Sequence, residues 1–236
     1  MAEEDHAGSV AVATPEQPTP SSLGFIGRIM HQRRAQAALR AEQAYATELS
    51  ACAEEDFSDL DQLEFLQVRG HDNDGRRLVV VVARNYPAKV LKLDRVYRYL
   101  ITRLDSIVDE PYSIVWFHTQ SSYWRNCPSL AWLWRTYERL PSKYRERLHR
   151  LYVVHCDLPL WMAASALVPL FSEALWSKVA WISRVEFLWD HLPKKQFAVP
   201  DFVAEHDAIL EDQPLMDYGV VATKEINNVP GLPTPM

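Results

Sequence analysis

An α/β fold, a mainly parallel sheet flanked by helices, is predicted by three features of the sequence. Leu78-Val79-Val80-Val81-Val82-Ala83 is a continuous apolar, β-branched run, as expected of a strand covered on both faces. Shorter runs of the same kind recur downstream. Between them lie segments whose apolar residues repeat at helical spacing, and alternation at roughly 30–40 residues means βαβ crossovers.

The elements follow in order. Residues 1–22 hold Pro15, Pro18 and Pro20 and four acids, Glu3, Glu4, Asp5 and Glu16, with no Lys or Arg. That composition buries too little surface to offset the entropy of ordering, and a disordered leader is expected. The acids argue against a transit peptide, and no apolar core of a secretory signal follows. Residues 23–62 read as a helical N-terminal extension; the apolar stripe of Ile26, Ile29, Met30, Ala37, Ala41, Ala44, Tyr45 and Leu49 is thin. It suits a surface helix; Arg28, Arg33, Arg34 and Arg40 leave an amphipathic partner or membrane helix open. The main domain is expected at 63–210. It starts with Leu66-Gln67-Val68, a turn at His71-Asp72-Asn73-Asp74-Gly75, and the valine strand.

Leu93, Val96, Tyr97, Leu100, Ile101, Leu104, and on to Val108, then mark a helix ending before Pro111. Tyr112 to Phe117 is a second strand. Pro128 can open a helix carrying Leu130, Leu133, Trp134, Tyr137 and Leu140. Pro141 and Ser142 restart a short one through Leu148. Leu151 to Val154 and Val179 to Ile182 complete the sheet. Residues 211–236, rich in Asn and Pro near the end, read as a loose tail.

Composition excludes several function classes. The 236 residues are 48% hydrophobic and 24% charged, ordinary for a globular protein. The formal net charge is −6, which disfavours nucleic acid as a partner. Cys52, Cys127 and Cys156 are an odd number at wide spacing, so neither a disulfide framework nor a Cys-based zinc site is expected. A reducing, cytoplasmic location follows. None of the 7 glycines falls between Gly75 and Gly219. Phosphate-cradling loops and the nucleophile elbow need glycine, so nucleotide-dependent enzymes and typical serine hydrolases are disfavoured. No cofactor is expected.

The late segment is unusual. Leu158 to Trp176 carries 14 apolar residues of 19 and no charge from Leu158 through Ser172. A helix without a polar face must be buried, lie against lipid or cover a cavity. Pro169 and Glu173 interrupt it, so it does not read as a membrane span. Plain core packing is the alternative. All eight tryptophans fall between Trp116 and Trp189, and each could equally fill the core of a glycine-free region.

His118 and His155 each follow an apolar strand, the edge where α/β proteins place ligand sites. Thr119, Ser121 and Ser122 follow the first; Cys156 and Asp157 adjoin the second. A hydrolytic arrangement of His155, Asp157 and a hydroxyl is conceivable, but capping or pocket-rim hydrogen bonds explain the histidines as well, and no catalytic residue is assigned. No metal site is predicted: no histidines have i, i+4 spacing, and Asp72 and Asp74 lack the later ligands of a calcium loop. From Arg135 to Arg150 six basic residues face two acids, Glu138 and Glu146. They are either a solvated helix face or a patch for an acidic partner or anionic lipid.

The stretches "HDNDGRRLVVVVARNYPA", "VYRYLITRLDSIVDEPYSIVWFHT" and "LYVVHCDLPLWMAASALVPLFSEALWSKVAWISRVEFLWDHLPKKQFAVPDFVAEHD" resemble a CRAL-TRIO lipid-binding domain. More narrowly they are similar to its divergent BCH-like branch, including the C-terminal domain of macro-domain fusion proteins. The resemblance covers about Leu63 to Asp207. It departs from the family in lacking the usual N-terminal three-helix lobe and the closing Gly-Gly.

The resemblance implies a CRAL-TRIO-like, non-enzymatic module that holds a lipid or other hydrophobic molecule. It would act as a lipid sensor or signalling adaptor, with Rho-family GTPases or their regulators as partners and peripheral contact with membranes. The alternative is a protein–protein interaction scaffold with a collapsed pocket and no ligand. The candidate pocket and gate residues are Trp116, His118, Trp134, His155, Trp161 and Leu167, with Leu170, Phe171, Trp176 and Trp181. The candidate anionic-surface residues are Arg139, Lys143, Arg145, Arg147 and Arg150, with Lys194 and Lys195. Ala166→Trp is the expected pocket-filling change.

Overall fold

The computed structural model describes residues 36, 39–168, 172–194 and 197–220. The leader at 1–22 and most of the tail after 211 lie outside them. The chain divides into two compact units, residues 1–43 and 44–236. Of the first, residues 36 and 39–43 are helical; the second holds the rest of the described fold.

Its helices are α1 (residues 44–52), α2 (Ser58–Gln62), α3 (Leu93–Leu104), α4 (Tyr123–Asn126), α5 (Leu130–Arg139), α6 (Lys143–Glu146), α7 (Leu158–Leu167), α8 (Glu173–Trp176), α9 (Val185–Leu188) and α10 (Asp201–Asp212). The strands are β1 (Leu66–His71), β2 (Arg77–Val82), β3 (Tyr112–Phe117), β4 (Leu148–Val154) and β5 (Val179–Ile182). They form one sheet in the order β1-β2-β3-β4-β5. β1 is antiparallel to β2 and every other pair is parallel.

The hairpin turn is organised by one carboxylate. Asp72 accepts from the amides of Asp74 (3.0 Å) and Arg76 (2.9 Å), from Arg76 Nε (2.8 Å) and from Ser113 Oγ on β3 (3.1 Å). Gly75 sits at φ +80 with open space where a Cβ would stand, so conformation rather than room calls for glycine there.

Strand alternation divides the sheet into two faces. On one face Val79, Val81, Ile114 and Leu151 meet α3 through Val96, Tyr97 and Ile101, together with Tyr45, Phe57 and Leu60. On the other, Leu78, Val80, Val82, Val115 and Phe117 meet Leu188, Leu192 and Val203 from α9, its following loop and α10. β2 is therefore covered on both sides, which is why it reads as an unbroken apolar run. Right-handed crossovers place α3, α5, α6 and α8 on the first face, and Leu175 of α8 packs there.

Two boundaries differ from the sequence pattern. Helical spacing continues to Val108, but α3 stops at Leu104, and Ile107 and Val108 bury themselves in the following turn. Leu148, expected at a helix end, begins β4 because the Tyr112 amide bonds Arg147 O (3.1 Å) and Leu148 turns inward. Sheet pairing and burial outweigh local helix propensity at both points. At the far end, α10 runs through Asp212, and Asp217 beyond it bonds His206 Nε2 (2.9 Å).

Candidate functional site

The parallel strands all end at one side of the sheet, and there the first face carries a row of apolar residues. Leu66, Val81, Trp116, Val153 and Trp181 are register neighbours from β1 to β5. The next row inward is Val68, Val79, Ile114, Leu151 and Val179. Coverage falls off toward β5: Val153 is buried, whereas Trp181 is 45% exposed. Trp116 is half-buried, and its indole Nε1 is shielded with no acceptor among the described residues.

The segment leaving β4 is α7. Asp157 caps it by accepting from the Leu160 amide (2.8 Å), and Pro159 occupies its first turn, where the missing N–H costs nothing. The helix is apolar all round, yet Leu158, Trp161 and Met162 stand exposed, Met162 at 61%. Leu167 is buried, and Leu160, Ala163 and Ala164 are half-buried. Ala166 faces outward, so a side chain enlarged there would not enter the fold; Ala163 and Ala164 are the inward small residues. Trp176 is half-buried on α8, and Trp134 stacks on Tyr137 within α5 at 5.8 Å. Leu170 and Phe171 lie outside the described residues.

Both histidines are buried in a polar belt at this same end of the sheet. His118 Nε2 bonds Asp157 Oδ1 (3.1 Å), so the carboxylate that caps α7 also ties it to β3. Burial pushes the Asp157 carboxyl up, but the His118 and Leu160 hydrogen bonds outweigh it and hold it below its ordinary value. Ser121 Oγ lies 2.9 Å from His118 Nδ1 and 3.1 Å from Nε2. The neighbouring amides are already used: Ser121 N donates to His118 O and Ser122 N to Asn126 Oδ1.

His155 holds the left-handed conformation at φ 55, just past β4. Its Nδ1 meets Thr119 Oγ1 (2.8 Å) and its Nε2 meets Asp207 Oδ1 (2.9 Å) on α10. Asp207 also accepts from the Val185 amide (2.9 Å), and the His206 ring lies 5.0 Å away. Desolvation pushes the His155 pKa below its ordinary value despite the Asp207 contact. His155 and Asp157 thus take different partners instead of sharing one hydroxyl. Asp207 and His206 carry no signal in the sequence: an acid in the middle of α10 gives no hint of a partner 52 residues back.

The basic stretch is largely engaged within the fold. Arg139 pairs with Glu48 and lies 4.0 Å over the Tyr97 ring. Lys143 bonds Asp105 (2.7 Å) and Asp109 (2.9 Å). Arg145 donates to Tyr137 O (2.7 Å) and Arg150 to Ser177 O (2.9 Å). Acids from α1 and from the end of α3 therefore offset a local excess that looked uncompensated in sequence. Arg147 and Lys194 are exposed, and Lys195 lies outside the described residues. Among the described residues no group of three His, Cys, Asp or Glu could hold a metal ion, and no helix is long and apolar enough to cross a membrane.

Comparison with known proteins agrees with this architecture. The chain is 30% identical over 172 residues to the Rho GTPase-activating protein gacY of Dictyostelium discoideum, covering 73% of this chain and 24% of that protein. It is 32% identical over 179 residues to the GDAP2 homolog of Drosophila melanogaster, covering 76% and 31%. With the mouse Rho GTPase-activating protein 8 it shares 35% over 157 residues, covering 66% and 37%. The chain thus spans about a quarter to somewhat over a third of these relatives. The crystal structure of Sfh5 superimposes with a TM-score of 0.51 at 14% identity, covering 72% of this chain and 71% of that one, a likeness of fold alone. The family model for the divergent CRAL/TRIO domain matches residues 75–208, from the glycine of the hairpin turn to just past Asp207. With the four parallel strands, the α7 crossover and Asp207 of α10 inside that span, the chain belongs to the divergent CRAL/TRIO domain family.

Proposed function

We propose that the chain is a non-enzymatic module that holds a lipid or other hydrophobic molecule between α7 and the Trp116–Trp181 end of the sheet. In this reading it acts as a sensor or adaptor linked to Rho-type small GTPases. The carrying observation is that α7 has no charged residue and no polar face, yet leaves Trp161 and Met162 in solvent. An apolar helix in that position lacks part of its cover, and a ligand or lipid surface supplies it. The shielded Trp116 N–H without an acceptor supports the same reading, since a ligand polar group there would satisfy it. Each methylene buried contributes about 0.8 kcal/mol, so one acyl chain is enough for useful affinity.

The polar belt serves as structure in this account. A hydrolytic serine needs free amides beside it for the developing oxyanion, and those next to Ser121 are taken. The GTPase link is drawn from relatives whose names include Rho GTPase-activating proteins. Native mass spectrometry with organic extraction of the purified protein tests the ligand. A co-purifying lipid, lost in Ala163→Trp without loss of fold, is the expected result. Protein that stays empty after incubation with a mixed lipid extract removes the proposal and leaves the scaffold reading.

A further inference from the structure

The segments that emerge from the C-terminal ends of β2, β3 and β4 share a charge bias. Residues 83–93 carry Arg84, Lys89 and Lys92, residues 118–129 carry Arg125, and residues 158–168 carry no charge. None of the chain's 31 acids falls in these three segments. Of the acids that border them, Asp59 pairs with Arg95 (2.5 Å) and Asp157 with His118 (3.1 Å), whereas Asp94 is 85% exposed and 3.9 Å from Arg139; Arg84 donates to Gln120 Oε1 (2.7 Å) and lies 4.7 Å over the Phe202 ring.

Geometry joins the segments into one surface. The turn at Pro87–Leu91 is closed by Val90 N to Pro87 O (3.0 Å), and the Ala88 amide donates to Arg125 O on α4 (3.1 Å). Asn126 Nδ2 bonds both Arg84 O (2.9 Å) and Tyr86 O (3.0 Å). α4 in turn follows His118, which is tied to the start of α7 through Asp157. At the tip of this braced turn Val90 is 80% exposed between Lys89 and Lys92. Its neighbour Leu91 is half-buried against the core of the first face.

We infer that this edge, the Lys89–Lys92 turn with Arg84 and Arg125, is the surface by which the protein lies on an anionic lipid bilayer. An exposed aliphatic tip between lysines suits the headgroup boundary, where apolar atoms enter and cations meet phosphates. α7 leaves the same end of the sheet and exposes Trp161 and Met162, so on the proposed ligand reading the bilayer would meet the entrance of that site. The inference rests on the ligand reading for that second point but not for the charge argument.

Vesicle flotation tests it, using phosphatidylcholine alone and phosphatidylcholine mixed with phosphatidylserine. The protein is expected to float with the mixed vesicles and to release as salt rises. One near-surface base is worth about five-fold in binding, so Lys89→Gln/Lys92→Gln/Arg125→Gln should lose about 100-fold. Arg147→Gln/Lys194→Gln, on exposed cations elsewhere, should lose little. Failure of the unaltered protein to float, an undiminished triple variant, or equal loss in the control pair each overturns the inference. Should the triple variant misfold by circular dichroism, the salt series on the unaltered protein decides. Native mass spectra of the same samples report the ligand separately: an empty protein that still floats refutes the ligand reading alone.

Discussion

Asp207→Ala removes the acceptor that closes α10 onto the sheet. In the native fold its Oδ1 takes hydrogen bonds from buried His155 Nε2 and from the Val185 amide, both at 2.9 Å. With Nε2 protonated, Nδ1 of His155 accepts from Thr119, so the neutral imidazole is fully satisfied. Alanine leaves one buried ring N–H and one shielded amide unpaired, at about 1–3 kcal/mol each, so roughly 2–6 kcal/mol in all. For a domain of this size that lowers Tm by about 5–15 °C. Asn keeps an acceptor oxygen in place and should recover most of the loss. Thermal melts of the three proteins by circular dichroism make the comparison. Equal melting of Asp, Asn and Ala forms would refute the role given to this contact, as would an Asn form as weak as the Ala form.

Further outcomes follow from the same reasoning. Because the folded His155 pKa is depressed, the unfolded chain gains a proton first as pH falls through about 6.5, so stability present above that value declines toward pH 5. His149, lowered by desolvation and then Arg76, acts in the same direction, and urea denaturation at pH 7.5 and 5.5 should show the drop; a flat profile contradicts it. Asp72→Ala should cost about 1–3 kcal/mol for each buried donor it strands, the Arg76 amide and Ser113 Oγ, while Arg76 keeps its pair with Asp74, readable as a shifted denaturation midpoint. Trp161→Ala should change stability by less than about 0.5 kcal/mol, since the side chain is half in solvent, yet weaken uptake of a fluorescent lipid; the reverse pattern would make it a packing residue.

Much of the fold was legible because local pattern and tertiary role coincide. The spans Tyr112–Phe117 and Val179–Ile182 are strands with the bounds their composition suggests, and the valine run Leu78–Ala83 is β2 shifted by one residue to Arg77–Val82. The turn at Asp72–Gly75 carries its own signal in Asp and Gly. Elsewhere the signals were incomplete. Leu148 looks like a helix residue until β3 offers its amide to Arg147 O. The basic count from Arg135 to Arg150 left two readings open because Glu48, Asp105 and Asp109, which pair with it, are 34–91 residues distant in the chain.

The order of apolar runs and helical spacings alone determined that this chain makes an α/β sheet with strands ending before His118 and His155, since periodicity and strand burial are local properties. The uncharged character of α7 was likewise plain. Only the tertiary structure decided which of those apolar residues meet solvent, which acids neutralise which bases, and that Lys89, Val90 and Arg125 share an edge. Those are properties of pairs brought together by the crossovers, and hydrogen bonds and ion pairs between distant residues leave no periodic trace in the sequence.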